Sequence, residues 1–302
     1  MKTTLVSKYD YLFKHNIENH VKNIIIYTED DNWSINQDYS NIDIKEHNIW
    51  KNLFNKVYDD AFMYGTDMYR KGMNILADNI DNFKYQIPNL SNISKIIYKN
   101  TQWNIKVVAG FVDEVIFFEL LKEKNFPSSD IIRLSQRFYD KYKNTNVRND
   151  LSYTPEPDIF HEIFGHAPFL LDKKYAQLMN DIGSLGYDII FNENLSEDLK
   201  SHNLKRLQNF VWWTLEFGLI KSSCDLGYEI YGAGILSSYN EIQNVIKYIK
   251  SKDKNVIEYD IEKVVMNRFD YSDLQDRYYA IESFDTLVDS FYSNKDIFLY
   301  KG

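Results

Sequence analysis

The sequence predicts a mainly α-helical protein built as one domain, and three observations carry that reading. Apolar residues recur every three to four positions along most of the chain. Pro and Gly are sparse, at 5 and 11 of 302 residues, and neither a repeat nor a low-complexity linker divides the sequence. Tight-turned β architectures need more turn formers than this. A hydrophobic fraction of 44%, with 24 Tyr and 19 Phe, supplies a core that excludes a disordered chain.

Residues 1–50 are polar and rich in Asn and Asp, and read as an arm with short helices laid over the domain. Over residues 48–77, Trp50, Leu53, Phe54, Val57, Tyr58, Phe62 and Tyr69 share helical spacing. A second helix is expected after the Ser and Asn caps of residues 90–94. Residues 104–110 alternate briefly, as a strand does. Helices are expected at 114–123 and 129–143, the second entered from Pro127 and Asp130. A polar loop at 143–152 then leads to a helix at 158–169. Its entry, Pro155, Glu156, Pro157 and Asp158, suits a first helical turn. Further helices are expected at 176–185, 205–220 and 239–249. Residues 261–292 hold one or two helices and a strand near 277–281.

The net charge of −9, from 35 basic and 44 acidic residues, argues against a sequence-wide affinity for nucleic acid. Only seven of the basic residues are Arg, so each Arg in this Lys-rich chain is a candidate for a specific task. Cys224 is the only cysteine, which excludes an internal disulfide and a Cys-based zinc site. The first ten residues lack the apolar core of a signal peptide. The longest apolar run, near 115–121, is broken by Glu119 and is too short to cross a bilayer. A reducing cytoplasm is the expected setting.

Two of the six His lie five apart, in His161-Glu162-Ile163-Phe164-Gly165-His166. On an ideal helix that separation turns the second side chain about 140° from the first. Convergence on one ion therefore requires the helix to end or distort, and Gly165 and Pro168 offer the means. Two imidazoles and one carboxylate on a face of an ion leave three positions open, the geometry of O2-using non-haem Fe(II) sites. The best carboxylate is Glu216, the only charge in the apolar stretch 209–220, because a buried lone carboxylate is costly unless paired or metal-bound. Glu162 is the rival: with His161 and His166 it would make a zinc hydrolase site, acting as the base. Taken singly, these residues also fit core histidines and a carboxylate paired with a Lys or a Tyr hydroxyl. A non-catalytic binding module is the remaining alternative.

Residues 154–168, from Thr154 through His161 and His166 to Pro168, resemble the iron-binding signature of the pterin-dependent aromatic amino acid hydroxylases. The similarity is collinear. Val108-Ala109-Gly110 precedes the signature, and Trp212-Trp213-Thr214-Leu215-Glu216 follows it. Tyr231-Gly232-Ala233-Gly234 comes next, and Tyr278 to Phe284 closes the series. Coverage is roughly residues 25–290, so the arm is narrowed to 1–24 and the catalytic domain to 25–302.

The resemblance implies a single helical basket with a few short strands. It implies Fe(II) held by His161, His166 and Glu216, with tetrahydropterin (tetrahydrobiopterin or similar) supplying two electrons while O2 is split. The substrate is then a free aromatic amino acid, with L-phenylalanine to L-tyrosine favoured. Hydroxylation of Trp or Tyr, or meta-hydroxylation of Phe, is the alternative. Phe117 matches the ring on which the pterin stacks, Phe111 and Val112 its backbone contacts, and Glu162 a carboxylate at its edge. Arg133 matches the clamp on the substrate carboxylate, which a planar fork suits better than an ammonium. Thr154 and Ser237 match further polar contacts, Pro157, Phe164 and Trp212 the walls of the aromatic pocket, and Gly234 a close approach to substrate.

The sequence also departs from the family. Extra residues lie between Arg133 and Thr154 and after Gly186, Val211 replaces an aromatic residue, and residues 113–116 differ from the usual pterin loop. The resemblance further implies no regulatory domain and no tetramerisation tail. A cytoplasmic monomer that contacts neither membrane nor nucleic acid is expected.

Overall fold

The computed structural model describes residues 34–108, 112, 114–142, 157–251, 254–270 and 273–301. The arm and the polar loop therefore lie outside the described residues. Helices dominate. Helix α1 (Ile44–Tyr64) opens with a capping box, in which Asp43 accepts from the Glu46 N–H and Glu46 reaches back to the Asp43 N–H. The helix expected over 48–77 is two helices. Gly65 ends α1, Thr66 bonds sideways to the Ile230 carbonyl, and the Thr66 hydroxyl caps α2 (Asp67–Asn79). Helix α3 (Leu90–Thr101) is capped by Asn89, just ahead of the residues expected to cap it.

Strand β1 (Asn104–Val108) pairs in parallel with β2 (Asn125–Ser129), on either side of α4 (Glu114–Lys122). Strand β2 overturns part of the helix expected at 129–143, because helix resumes only at α5 (Gln136–Tyr142). Asn125-Phe126-Pro127-Ser128-Ser129 is buried along its whole length, so it shows no alternation to betray a strand. Pro127 is tolerated because the sheet has two strands and an open edge.

A short π-helical stretch, His161–His166, runs into α6 (Ala167–Leu170), followed by α7 (Lys173–Ile190). Beyond Gly186, α7 runs on to Ile190, and residues 191–196 form the turn into α8 (Glu197–Val211), which Ser196 caps. Helix α8 continues as a second π-helical stretch, Trp212–Glu216, and stops there. The helix expected to reach residue 220 gives way to β3 (Gly218–Lys221).

Strands β4 (Tyr228–Ile230), β5 (Val256–Glu258) and β6 (Tyr278–Ile281) complete a sheet ordered β4-β3-β6-β5, antiparallel only between β3 and β4. Helices α9 (Ala233–Leu236), α10 (Tyr239–Ser251), α11 (Ile261–Met266) and α12 (Phe284–Ser293) fill the intervals. The core behind the first π stretch is aromatic: Phe160 stacks on Phe164 at 4.8 Å, with Trp50 and Phe54 edge-on to them. Among the described residues, no helix is long and apolar enough to cross a membrane.

Candidate metal centre

The five-residue histidine spacing becomes intelligible from the backbone. In the stretch His161–His166 the hydrogen bonds span five residues, and the Ala167 N–H donates to the Glu162 carbonyl. Positions i and i+5 then lie on one face. The helix distorts but does not end. Pro168 cannot donate to the Phe164 carbonyl, and the Tyr69 hydroxyl donates there instead at 3.1 Å. The second π stretch closes with the Phe217 N–H on the Trp212 carbonyl, also five residues apart, which presents Glu216 to the histidines.

His161, His166 and Glu216 each offer one ligand atom to a common point. The two Nε2 atoms are 3.2 Å apart, and the Glu216 carboxylate lies 3.6 Å from His161 and 2.9 Å from His166. With metal–ligand bonds of about 2.1 Å, one face of an octahedron has edges of about 3 Å, close to these separations. The Glu216 Oε2 atom is buried with no hydrogen-bond partner. Burial alone would push this carboxyl up, but the facing imidazoles, with the Gly234 N–H, hold it below the usual glutamate value. Burial brings His161 down to about 4, so its ring is neutral near neutral pH. Its Nδ1 sits 2.8 Å from Ser237 Oγ, whose hydrogen goes to the Ala233 carbonyl at 2.9 Å. His161 therefore carries its proton on Nδ1, and the Nε2 lone pair faces its co-ligands. An orphaned carboxylate oxygen beside two imidazole nitrogens fits a divalent transition metal, and the two-His, one-carboxylate set fits Fe(II).

Glu162 takes no part in this cluster. Its carboxylate accepts the Ser129 N–H of β2 at 2.6 Å, and burial pushes it well above the usual range despite that bond and one from Ser128. The hydrolase reading loses its base, which faces β2 rather than the ligand set.

Arg133 is 2% exposed and doubly held: Nε and Nη2 donate to the two Asp158 oxygens at 2.8 and 2.7 Å. Burial opposes ionisation of Asp158, but Arg133 and the His161 N–H hold its carboxyl below the usual value. One carboxylate thus braces both the guanidinium and the start of the ligand helix. Leu134, next to Arg133, has φ +66°, the left-handed region, where a branched side chain is strained. Asp158 was read from the sequence only as a helix-start residue. Its signal was a rare Arg that needed a partner once buried.

The remaining candidates divide. Trp212 stacks face to face on Phe269 at 4.7 Å and 8°. Phe269 went unnoticed in the sequence, although its ring also packs on Trp213 and Phe217. Phe117 is half-buried while its neighbour Phe118 is buried, so part of Phe117 stays accessible on α4. Val112 is half-buried against the core, and Pro157 is half-buried at the entry to the ligand helix. Phe164 is fully buried in the aromatic core. Gly234 serves an approach within the protein: a Cβ there would lie 2.8 Å from the Phe217 ring and 3.1 Å from the Glu216 carbonyl. Ser237 contacts His161, an orienting task where a substrate contact was expected. Phe111 and Thr154 lie outside the described residues.

A family model described as biopterin-dependent aromatic amino acid hydroxylase matches residues 27–294. The phenylalanine-4-hydroxylase of Caulobacter vibrioides is 31% identical over 84% of this chain and 76% of its own length. That of Ralstonia nicotianae is 29% identical over 81% and 68%. The tyrosine 3-monooxygenase of Drosophila melanogaster is 28% identical over 84% of this chain and 38% of its own. Among solved structures, cobalt-bound phenylalanine hydroxylase from Chromobacterium violaceum superposes with a TM-score of 0.73. It is 25% identical and covers 89% of this chain and 86% of that one.

Proposed function

Because this chain belongs to the biopterin-dependent aromatic amino acid hydroxylases, we propose that it converts free L-phenylalanine to L-tyrosine. One oxygen atom of O2 enters the ring, and the other is reduced to the level of water by the two electrons of tetrahydropterin. The convergence of His161, His166 and Glu216 on one point is the observation that carries this reading. Relatives named phenylalanine-4-hydroxylase, similar over most of their own length, favour phenylalanine over other rings.

Bound iron and tetrahydropterin supply the electrons and the metal centre needed to split O2. The protein's part is binding and orientation. His161, His166 and Glu216 would hold the metal through one ligand atom each. Phe117 offers the half-buried phenyl surface on which the pterin stacks, with Phe111 and Val112 supplying backbone contacts. Glu162, anchored by the Ser129 N–H, places its carboxyl group at the pterin edge. Arg133, braced by Asp158, binds the substrate carboxylate, with Thr154 contributing a further contact. Trp212, supported by Phe269, and Pro157 wall the aromatic pocket.

We read residues 1–24 as an arm ahead of a catalytic domain at 25–302, and the protein as a cytoplasmic monomer that acts on a small molecule without nucleic acid. The net charge of −9 supports the last point.

The test is an assay of iron-reconstituted protein with tetrahydropterin and, in turn, Phe, Tyr and Trp, identifying products by mass spectrometry and NMR. Tyrosine formed in step with pterin oxidation is the expected result. Turnover confined to Tyr or Trp would reassign the substrate, and no pterin-dependent O2 uptake with any of the three would overturn the proposal.

A further inference from the structure

The two histidine ligands are not held alike. The His161 Nδ1 has a firm partner, Ser237 Oγ at 2.8 Å. The His166 Nδ1 faces Tyr175 Oη at 3.5 Å. Tyr175 lies in the first turn of α7, fixed by the Asp172 side chain that caps that helix. Its ring is sandwiched between Phe169 (5.0 Å, 20°) and Phe284 (5.9 Å, 20°), and the residue is 0% exposed.

A phenylalanine would fill this slot equally well. A hydroxyl there loses its water and needs a polar partner. Among the described residues, the one hydrogen-bond neighbour of the Tyr175 hydroxyl is His166 Nδ1. A metal-bound imidazole must carry its proton on the nitrogen facing away from the ion, and that N–H needs an acceptor to fix the tautomer and the ring plane.

We propose that Tyr175 is a positioning residue for the metal: its oxygen accepts the Nδ1–H of His166 and so aims Nε2 at the ion. The inference rests on the iron site described above. Tyr175 touches neither the ion nor substrate, and it acts only through His166. The contact is at the outer limit of a hydrogen bond, so its loss costs less than loss of the Ser237 hydroxyl.

The test uses Co(II) as the probe, titrated into metal-free full-length protein and followed by its visible absorption, with loss to a chelator timed afterwards. Tyr175→Phe keeps the ring sandwich, so the thermal midpoint of the metal-free protein stays the same or rises. Co(II) affinity is expected to fall about 10-fold, and Ser237→Ala to cost up to about 100-fold. Metal loss accelerates and the Co(II) absorption band changes in both variants. Tyr175→Leu, which removes the hydroxyl together with the flat ring, should weaken Co(II) binding at least as much. Wild-type affinity, loss rate and spectrum in Tyr175→Phe would overturn the inference. Wild-type affinity in Glu216→Ala would instead overturn the metal site on which it rests.

Discussion

Two glutamates are buried in this molecule under opposite conditions. Glu241, near the start of α10, is fully satisfied: Tyr278 Oη donates to one oxygen and the Gln275 N–H to the other. Asn244, one turn along, donates to the Tyr278 hydroxyl and the Gln275 carbonyl, so α10 grips the segment that follows Phe269. Glu216 has one oxygen without a hydrogen-bond partner and two imidazoles in front of it. A carboxylate whose bonds are complete within the protein holds a fold together. One left incomplete next to nitrogen donors is a site kept open for something that binds.

The largest effect that tests this contrast is on the open site. Glu216→Ala or His161→Ala should abolish turnover and weaken iron binding by more than about 100-fold, beyond what loss of a supporting residue causes. Metal content after dialysis and product formation measure both. The metal-free Glu216→Ala protein should be at least as stable as the wild type in chemical denaturation, because an unpaired buried oxygen is removed. A large loss of metal-free stability would mean that Glu216 is structural after all, and the contrast would break.

The closed site predicts a pH signature. Burial raises the Glu241 carboxyl to about 7, assisted by Asp273, against the lowering effect of its bonds to Tyr278 and Gln275. The folded protein therefore holds a proton that the unfolded chain, near 4.5, releases. Between those values the native state binds more protons, so this contribution to stability is complete below about 4.5 and is lost as pH rises through about 7. The loss amounts to about 3 kcal/mol. Glu241→Gln keeps the shape and stays neutral, so its decline in unfolding free energy from pH 5 to pH 8 should be shallower than the wild type's by about that amount. Parallel curves for the two proteins would show that Glu241 ionises normally in the fold.

How far these features were legible in the sequence depends on the range of the interaction. His161, His166 and Glu216 were legible because their types and an apolar setting restrict what they can do. The reason the five-residue spacing works was not: a π-helical turn leaves no compositional mark, and only the need for some distortion showed. Gly65 was passed over because apolar spacing continues across it, yet Thr66 caps a new helix there. Strand β2 was missed because a strand buried along its whole length shows no alternation, and most of β3 was read as helix because it lies directly after one. Asp158 and Tyr175 lie 25 residues from Arg133 and 9 from His166, and their pairing arises from packing that no local pattern records.

Asp158 is a third kind of buried carboxylate, closed by a charge rather than by neutral donors, and it sharpens the contrast through its partner. A buried ion pair is weak support for stability in itself, but it fixes a guanidinium in one orientation. Nε and Nη2 of Arg133 form the fork to Asp158, which leaves Nη1 outside that fork. In Arg133→Lys a single ammonium must serve both Asp158 and the substrate carboxylate, and it lacks the planar geometry to do so. The KM for the amino acid should rise about tenfold, with kcat and the KM for pterin changed far less, because the lost contact forms before the chemical step. An unchanged KM would assign the carboxylate to another cation, such as Arg148, which lies outside the described residues. Arg133 would then be a structural partner of Asp158 alone, and its closed ion pair would belong with Glu241 rather than with the open site at Glu216.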